Sequence, residues 1–351
     1  MFEIKAIQVA QGDALFITYG EDDAPKHMLI DGGVTDTLDN LLTVLRGART
    51  NGHLRLEVIV ITHYDDDHIQ GIVALLSAKP EWLSIGDIWF NGRKHLHSRD
   101  LLGSQDADDL TKLLEDEDNK YPWNEAFGNS PITSSLPDPK PLAGGMKVQI
   151  LSPDEKRLRD LATKWKASTP PVDESGGTEA DSLGRSDVWP LVKFAKYIHS
   201  PFRADTSVPN GSSIALMLEF DGKRALLAAD SFAEVVKNSL LSRGPLPVLV
   251  NLLKVSHHGS KANTDIPLLK AIKCNRYLLS TNGAIYSHPD QALIARIITE
   301  HPGSEFIFNY QKPQTTGWLN VPNDWPAFKT AYPANNDPYV VVRLSEPHSK
   351  V

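Results

Sequence analysis

A strand that runs straight into a cluster of metal-ligating side chains constrains this chain more than any other feature. Val58, Ile59, Val60 and Ile61 form a β-branched apolar run, the pattern of a buried strand. Ile69, Ile72, Val73 and Leu76 follow at i, i+3, i+4, i+7, the apolar stripe of a helix. Between them stand His63, Asp65, Asp66, Asp67 and His68, two imidazoles and three carboxylates in six positions. Crowded on one strand-to-helix turn, the carboxylates repel one another and lose hydration. A bound divalent cation removes both penalties, so the stretch reads as a metal-binding turn. A solvated acidic turn is the competing reading.

Around this turn the pattern alternates between strands and helices. Residues 2–9, 14–19 and 27–30 are rich in β-formers and read as a meander, with Gln11-Gly12-Asp13 as a turn. Asp31-Gly32-Gly33 follows the third strand. Leu38, Leu41, Leu42 and Leu45 mark an amphipathic helix over 37–46. Strand, helix, strand, helix implies an α/β fold with helices covering a sheet. Further on, 147–151 alternates as a strand. Residues 214–220 and 224–229 read as a hairpin around Asp221-Gly222, ending in Asp230. A short buried strand, 252–255, leads into Ser256-His257-His258-Gly259-Ser260, a second ligand-like turn. Helices at 265–272 and 292–299 then alternate with strands at 276–281, 305–309 and 339–344. Cys274 sits in an apolar context and reads as structural.

Two stretches lack periodicity, 91–145 and 154–208. In the first, 106–118 reads as an acidic, solvated helix, and His95 and His97 as surface-loop residues. The second holds Pro170-Pro171 and Gly176-Gly177, with Trp165 and Trp189 as packing residues. It reads as a lid anchored at both ends near the metal turns. The 351 residues are expected to form one domain, 1–351, carrying these two insertions.

The totals exclude some classes. No apolar run reaches 18 residues, so no transmembrane helix and no membrane partner are expected. The first residues lack a basic stretch followed by an apolar core, so no signal peptide is expected. A single cysteine permits no intrachain disulfide, which fits a cytoplasmic location. The formal charge of −8 repels phosphate, so a nucleic-acid binder needs a local basic patch. Arg93, Lys94 and Arg99 are the candidates, against their reading as a solvated loop.

Several motifs in fixed order resemble one family. Val9-Ala10-Gln11-Gly12-Asp13-Ala14 looks like V-G-Q-G-D-A, and Leu29 to Gly33 like L-I-D-G-G. Thr62 to Gly71 resembles T-H-x-D-x-D-H-I-x-G, and Asn210 to Ile214 resembles N-x-x-S followed by an apolar residue. Asp230 stands at the place of L-T-G-D, Leu253 to Ser260 resembles L-K-V-x-H-H-G-S, and Tyr286 to Pro289 resembles Y-G-H-P. Together these resemble the metallo-β-lactamase superfamily, in particular its ComEC-type branch, the hydrolase domain of DNA-uptake channel proteins, here without the channel.

The resemblance implies an αββα sandwich, two mixed sheets with helices on the outer faces, and two divalent metal ions, Mn²⁺ or Zn²⁺, at the sheets' edge. By motif position His63, Asp65 and Asp230 hold one ion. Asp67, His68, Asp230 and His257 hold the other. Asp67 also orients the hydroxide, Asp31 steadies the metal turn, and His288 acts in catalysis. Asn210, Ser213, Ser260 and His258 face substrate. His258 is open to either reading, substrate contact or support for the ligands, and the choice between His257 and His258 as ligand stays open. The implied activity is metal-dependent hydrolysis, a phosphodiesterase or nuclease cleaving DNA with a metal-bound hydroxide. Two alternatives stand beside it: an esterase for a nucleotide or phosphocholine ester, and a protein-partner-gated effector subunit of a cytosolic assembly, for example one in defence.

Overall fold

Along the strands, buried residues alternate between two different hydrophobic clusters, and this alternation dictates the layers. In Phe2–Ile7, Phe2, Ile4 and Ala6 face one cluster, while Ile7 faces another. In Val58–Val60, Val58 and Val60 face the first and Ile59 the second. The computed structural model describes residues 1–96, 105–167 and 191–345, excepting the side chains of 164–167.

One mixed sheet has six strands in the order Tyr339–Ser345, Phe2–Ile7, Leu15–Tyr19, Lys26–Ile30, Val58–Val60, Ile88–Trp89. Its last three strands run parallel. A second has seven, in the order Lys329–Ala331, Glu305–Phe308, Arg276–Leu279, Leu252–Lys254, Lys223–Leu227, Ala215–Phe220, Lys147–Ser152. Its first five run parallel.

Phe2, Ile4, Ile17, Met28 and Val60 of one sheet share a core with Val148, Leu216, Leu218, Leu227, Leu278 and Ile307 of the other. The sheets therefore pack face to face. On the outer face of the first lie helices Leu38–Gly47, Asp66–Ala78 and Gln105–Glu115, burying Leu41, Leu45, Ile69, Ile72 and Leu110. On the outer face of the second lie Ala233–Arg243, Ile266–Ala271 and Gln291–Glu300, burying Val236, Leu240, Leu268, Leu293 and Ile297. This is the four-layer αββα sandwich.

Local chemistry explains several boundaries. The hairpin turns at Asp221 (φ +49°) and Gly222 (φ +69°), two positive φ values as a tight hairpin turn requires. Asp265 accepts from Leu268 N at 2.8 Å and caps the helix that follows. Cys274 is buried in the outer core of the second sheet, as its apolar neighbours suggest.

Three local expectations need correction. Gln105–Glu115 is not a purely solvated helix: Ala107, Leu110 and Leu114 are buried, an apolar face that its many acids mask. His95 is buried edge-on to Trp123 rather than on a surface loop. Residues 154–208 do not begin as loop, because Glu155–Ala167 is helical and buries Leu158 and Leu161 against Leu96 and Ala107. The centre of the expected lid, with Pro170, Pro171, Gly176, Gly177 and Trp189, lies outside the described residues, as do His97 and Arg99.

Parallel strands point their carboxyl ends the same way, and in both sheets those ends lie at one edge. Asp31, Thr62, Asp230, Ser256 and Ser280 all lie just beyond such ends. The sheets are bonded together there by Ile214 N to Thr62 O (2.9 Å) and Ser280 Oγ to Gly12 O (3.1 Å). Ligand sites in open α/β sheets favour such an edge.

Candidate metal centre

The helix Asp66–Ala78 starts at the centre because Asp65, in extended conformation, ends the strand turn, and His68 N then bonds Asp65 O at 2.9 Å. That helix lies directly on the Asp31 turn. Gly71 N donates to Gly33 O and Gly32 N to His68 O. A Cβ on Gly71 would lie 2.0 Å from Gly32 O, so only glycine fits. Gly12 is equally confined, since its Cβ would lie 1.7 Å from Asp67 O. These two close approaches bring Asp31 and Asp13 against the metal turn.

Asp31 is fully buried. It accepts from Thr62 N (2.8 Å) and Thr62 Oγ1 (2.7 Å), and its Oδ2 lies 2.8 Å from His68 Nδ1. His68 is thereby turned so that Nε2 faces inward, 3.5 Å from Asp230 Oδ2 and 3.3 Å from His258 Nε2. His258 is held likewise, with Nδ1 3.1 Å from Ser280 O and Nε2 3.5 Å from Asp230 Oδ2. His257 Nε2 lies 3.9 Å from the same oxygen. Asp67 reaches both inner rings, Oδ2 at 3.4 Å from His258 Nε2 and Oδ1 at 3.8 Å from His68 Nε2.

Donor atoms of Asp13, His68, Asp230 and His258 all lie within 4.8 Å of one another and are buried. Buried polar atoms here that make no hydrogen bond include His63 Nε2, Asp230 Oδ1 and Asp13 Oδ1. Buried polar atoms are ordinarily satisfied, so these orphans and the convergent donors fit a divalent cation. Imidazole and carboxylate without thiolate is a donor set for Zn²⁺ or Mn²⁺.

The charges tell the same story. Burial opposes charge on His68 and His258, yet Asp230 and its fellow carboxylates outweigh it and pull both well above 6.5. His257 is opposed by burial but raised by Asp230 and Asp205 to about 9. Burial raises Asp67, and His68 and His258 outweigh it to hold the carboxyl at about 2. Asp230 is held well below 3.8 by the same balance. Protons on the rings thus stand in for the positive charge a metal would bring.

Ligation must displace those protons. Apparent metal affinity is therefore expected to rise with pH, including through about 9, to which His257 is raised. Calorimetry in two buffers of different ionisation enthalpy should register proton release at pH 7; identical heats would contradict it. Without metal the sign reverses: the raised His257 stabilises fully below about pH 6.5 and this stability is lost as pH climbs through about 9.

The expected residues meet here, with differences. His63 and Asp65 pair with each other, Nε2 to Oδ2 3.4 Å, and the His63 ring is tilted against that of His68, centroids 4.2 Å apart; its ion-pair contact is Asp65, not Asp230. His258 belongs to the tightest group, while His257, the expected ligand, stands at its rim. Asn210 is turned toward Asp205 (2.8 Å) and His257 Nδ1 (3.3 Å) rather than outward. The Ser213 hydroxyl is buried without a hydrogen bond, and Ser260 Oγ accepts from Ala262 N at 3.2 Å. His288 is buried, its ring 5.9 Å from that of His257 and Nδ1 3.8 Å from Asp290 Oδ2. Sequence reasoning missed Asp13, Lys254 and Asp205. The first two stand inside quoted motifs, and a buried-strand lysine such as Lys254 is the signal that could have pointed to a charged partner. Lys254 is fully buried and ion-paired with Asp13, and its Nζ lies 4.0 Å from Asp230 Oδ1.

No family model matches the chain. A stretch of 119 residues is 26% identical to ComE operon protein 3 of Bacillus subtilis (strain 168), covering 34% of this chain and 15% of that protein's length. Among solved structures the chain is similar to YhfI, a metallo-β-lactamase fold protein from Bacillus subtilis (TM-score 0.44, 11% identity, 88% of this chain and 96% of that one). It is also similar to human tRNase Z, short form (TM-score 0.43, 10% identity, 99% and 100%). A third is Zn²⁺-bound PqqB from Methylobacterium extorquens (TM-score 0.42, 13% identity, 98% and 100%). No helix among the described residues is long and apolar enough to cross a membrane. What the centre can do follows from its own residues: it is a buried histidine and carboxylate cluster, built at the shared edge of two sheets, that can bind metal.

Proposed function

We propose that this chain is a metal-dependent hydrolase of phosphodiesters, with DNA as its substrate. One observation carries the reading: Nε2 of His68, His257 and His258 converge on Asp230 Oδ2 at 3.5, 3.9 and 3.5 Å. Each ring has an oxygen within 3.1 Å of its Nδ1. Rings oriented this way serve ligation.

When bound, a divalent ion supplies Lewis acidity that lowers the pKa of water and takes up charge on a phosphoryl oxygen. His68, His258, Asp67 and Asp230 would hold it, with His63 and Asp65 beside His68 as donors for a second. Asp67 remains 20% exposed at its side chain while touching both inner rings, so it can orient a water at the centre. His288 is pushed well below 6.5 by burial and by neighbouring His257, which favours the neutral ring, a group that can hydrogen-bond substrate. Cys274 is buried and its thiol is pushed up to about 11, so it is not suited to be the attacking group.

DNA as substrate rests on the motif resemblance to the ComEC-type branch. A smaller phosphodiester is the second reading, favoured by the fate of two basic candidates. Arg93 is ion-paired with Asp108, and Lys94 Nζ lies 3.6 Å over the Trp123 ring, so neither is set aside for phosphate. The test is a panel of single-stranded DNA, duplex DNA, RNA and bis-p-nitrophenyl phosphate, with Mn²⁺ or Zn²⁺. Cleavage of DNA, faster with Mn²⁺ because the donors are carboxylate-rich, is the expected result. Turnover of the small ester alone would select the second reading, and no turnover of any substrate with either ion would remove both.

A further inference from the structure

Asp205 belongs to no motif and lies in the stretch that reads as irregular. It is nonetheless 6% exposed, and both carboxylate oxygens are occupied. Oδ1 accepts from Ser207 N at 2.7 Å. Oδ2 accepts from the amides of Asn210 and Asn263, each at 2.8 Å, and lies 3.5 Å from His257 Nδ1. Asn263 is fully buried; its Oδ1 lies 3.1 Å from His257 Nδ1 and its Nδ2 donates to Asp230 O at 3.1 Å.

His257 therefore has two oxygens at Nδ1 and the shared carboxylate at Nε2. Asn210 Nδ2 also lies 3.3 Å from Nδ1, but its closer partner is Asp205 Oδ2. A proton on Nδ1 serves both oxygens and leaves the Nε2 lone pair aimed at Asp230. The backbone adds a reason for such a grip. His257 and His258 have φ of +48° and +54°, the left-handed region that residues other than glycine adopt only under strain. His257, at the rim, needs holding more than the enclosed His68, which Asp31 grips in the same way at 2.8 Å.

We propose that Asp205, with Asn263, is a positioning unit that fixes His257 in the Nδ1–H form and so makes it a metal ligand. The inference rests on the reading of the cluster as a metal centre. It gives the chain before Asn210 a task at the site: 205–207 is a wall of the centre.

The test uses the whole chain, wild type and Asp205→Ala, with two readouts. Long-range ¹⁵N–¹H spectra of the histidine rings, recorded above about pH 9 where the His257 ring is neutral, report its tautomer in metal-free protein. Chelator competition reports Co²⁺ and Zn²⁺ affinity, and Co²⁺ also reports its ligand field by absorption. Expected are loss of the single Nδ1–H form and affinity weakened about 10- to 100-fold. Asp205→Asn keeps volume and one acceptor and should fall between; it decides the matter if the alanine variant does not fold. An unchanged tautomer, with affinity within about twofold of wild type, would overturn the role of Asp205 while leaving the metal centre standing. A wild-type protein that binds neither ion would instead overturn the metal centre, and the ligand role of His257 with it.

Discussion

Asp230→Ala is expected to abolish hydrolysis, by about 10³-fold or more, and to strip the centre of its capacity for divalent ions. The carboxylate is the point on which three imidazoles and the Lys254 ammonium converge, so no neighbour can replace it. The fold should survive. Removing Asp230 strands no fixed charge among the histidines, because each ring can shed its proton when the partner that raised its pKa is gone. Metal content by atomic spectroscopy, turnover on bis-p-nitrophenyl phosphate and thermal unfolding check the three parts separately. Near wild-type turnover at saturating metal would show that Asp230 is not the shared ligand.

Lys254→Met should do the reverse, damaging the fold before the chemistry. Lys254 and Asp13 are both fully buried or nearly so, and they are ion-paired. Burial pushes the Asp13 carboxyl up, and Lys254 followed by His258 outweighs it, holding it well below 3.8. Breaking a buried pair from one side leaves an uncompensated charge, at about 3–5 kcal/mol. The methionine keeps the stem's packing, so the loss is electrostatic. A second change, Asp13→Asn, should recover most of the loss, since it removes the stranded charge while keeping the turn over Asp67. Denaturant unfolding of the two single variants and the double variant gives the coupling directly. Additive losses, with no recovery in the double variant, would mean the pair contributes nothing of its own.

Both predictions concern residues of unequal legibility. Asp230 is visible in the chain as an acid ending a hairpin strand, and the hairpin itself is announced by Asp221-Gly222. Asp13 reads only as a turn residue, and Lys254 only as one polar position in an apolar run. Their pairing joins the start of a strand in one sheet to the end of a strand in the other, 241 positions apart by their numbers 254 and 13, and no local pattern reports such a meeting. Helix Ala233–Arg243 is silent for another reason. It buries Val235, Val236, Ser239 and Leu240 while leaving Leu241 exposed, so its apolar residues do not mark one face. Glu155–Ala167 is masked by charge, since seven of its 13 residues are charged and Leu158 and Leu161 stand among them.

Local sequence determined the pieces: strands by β-branched alternation, turns by glycine and aspartate, and the metal turn by histidines and carboxylates too dense to be packing. Each is decided by neighbours within a few positions, where backbone sterics and side-chain periodicity act. Only the tertiary structure decided which donors share one point. Two sheets stacked face to face bring the carboxyl ends of their parallel strands to a common edge. There His68 from one sheet meets His258 and Asp230 from the other, 3.3 and 3.5 Å away. The same packing ranks His258 inside His257, enlists Asp13 and brings Asp205 behind the rim. Convergence of that kind depends on strand order and sheet spacing, which the summed burial of the entire core sets and no single segment encodes.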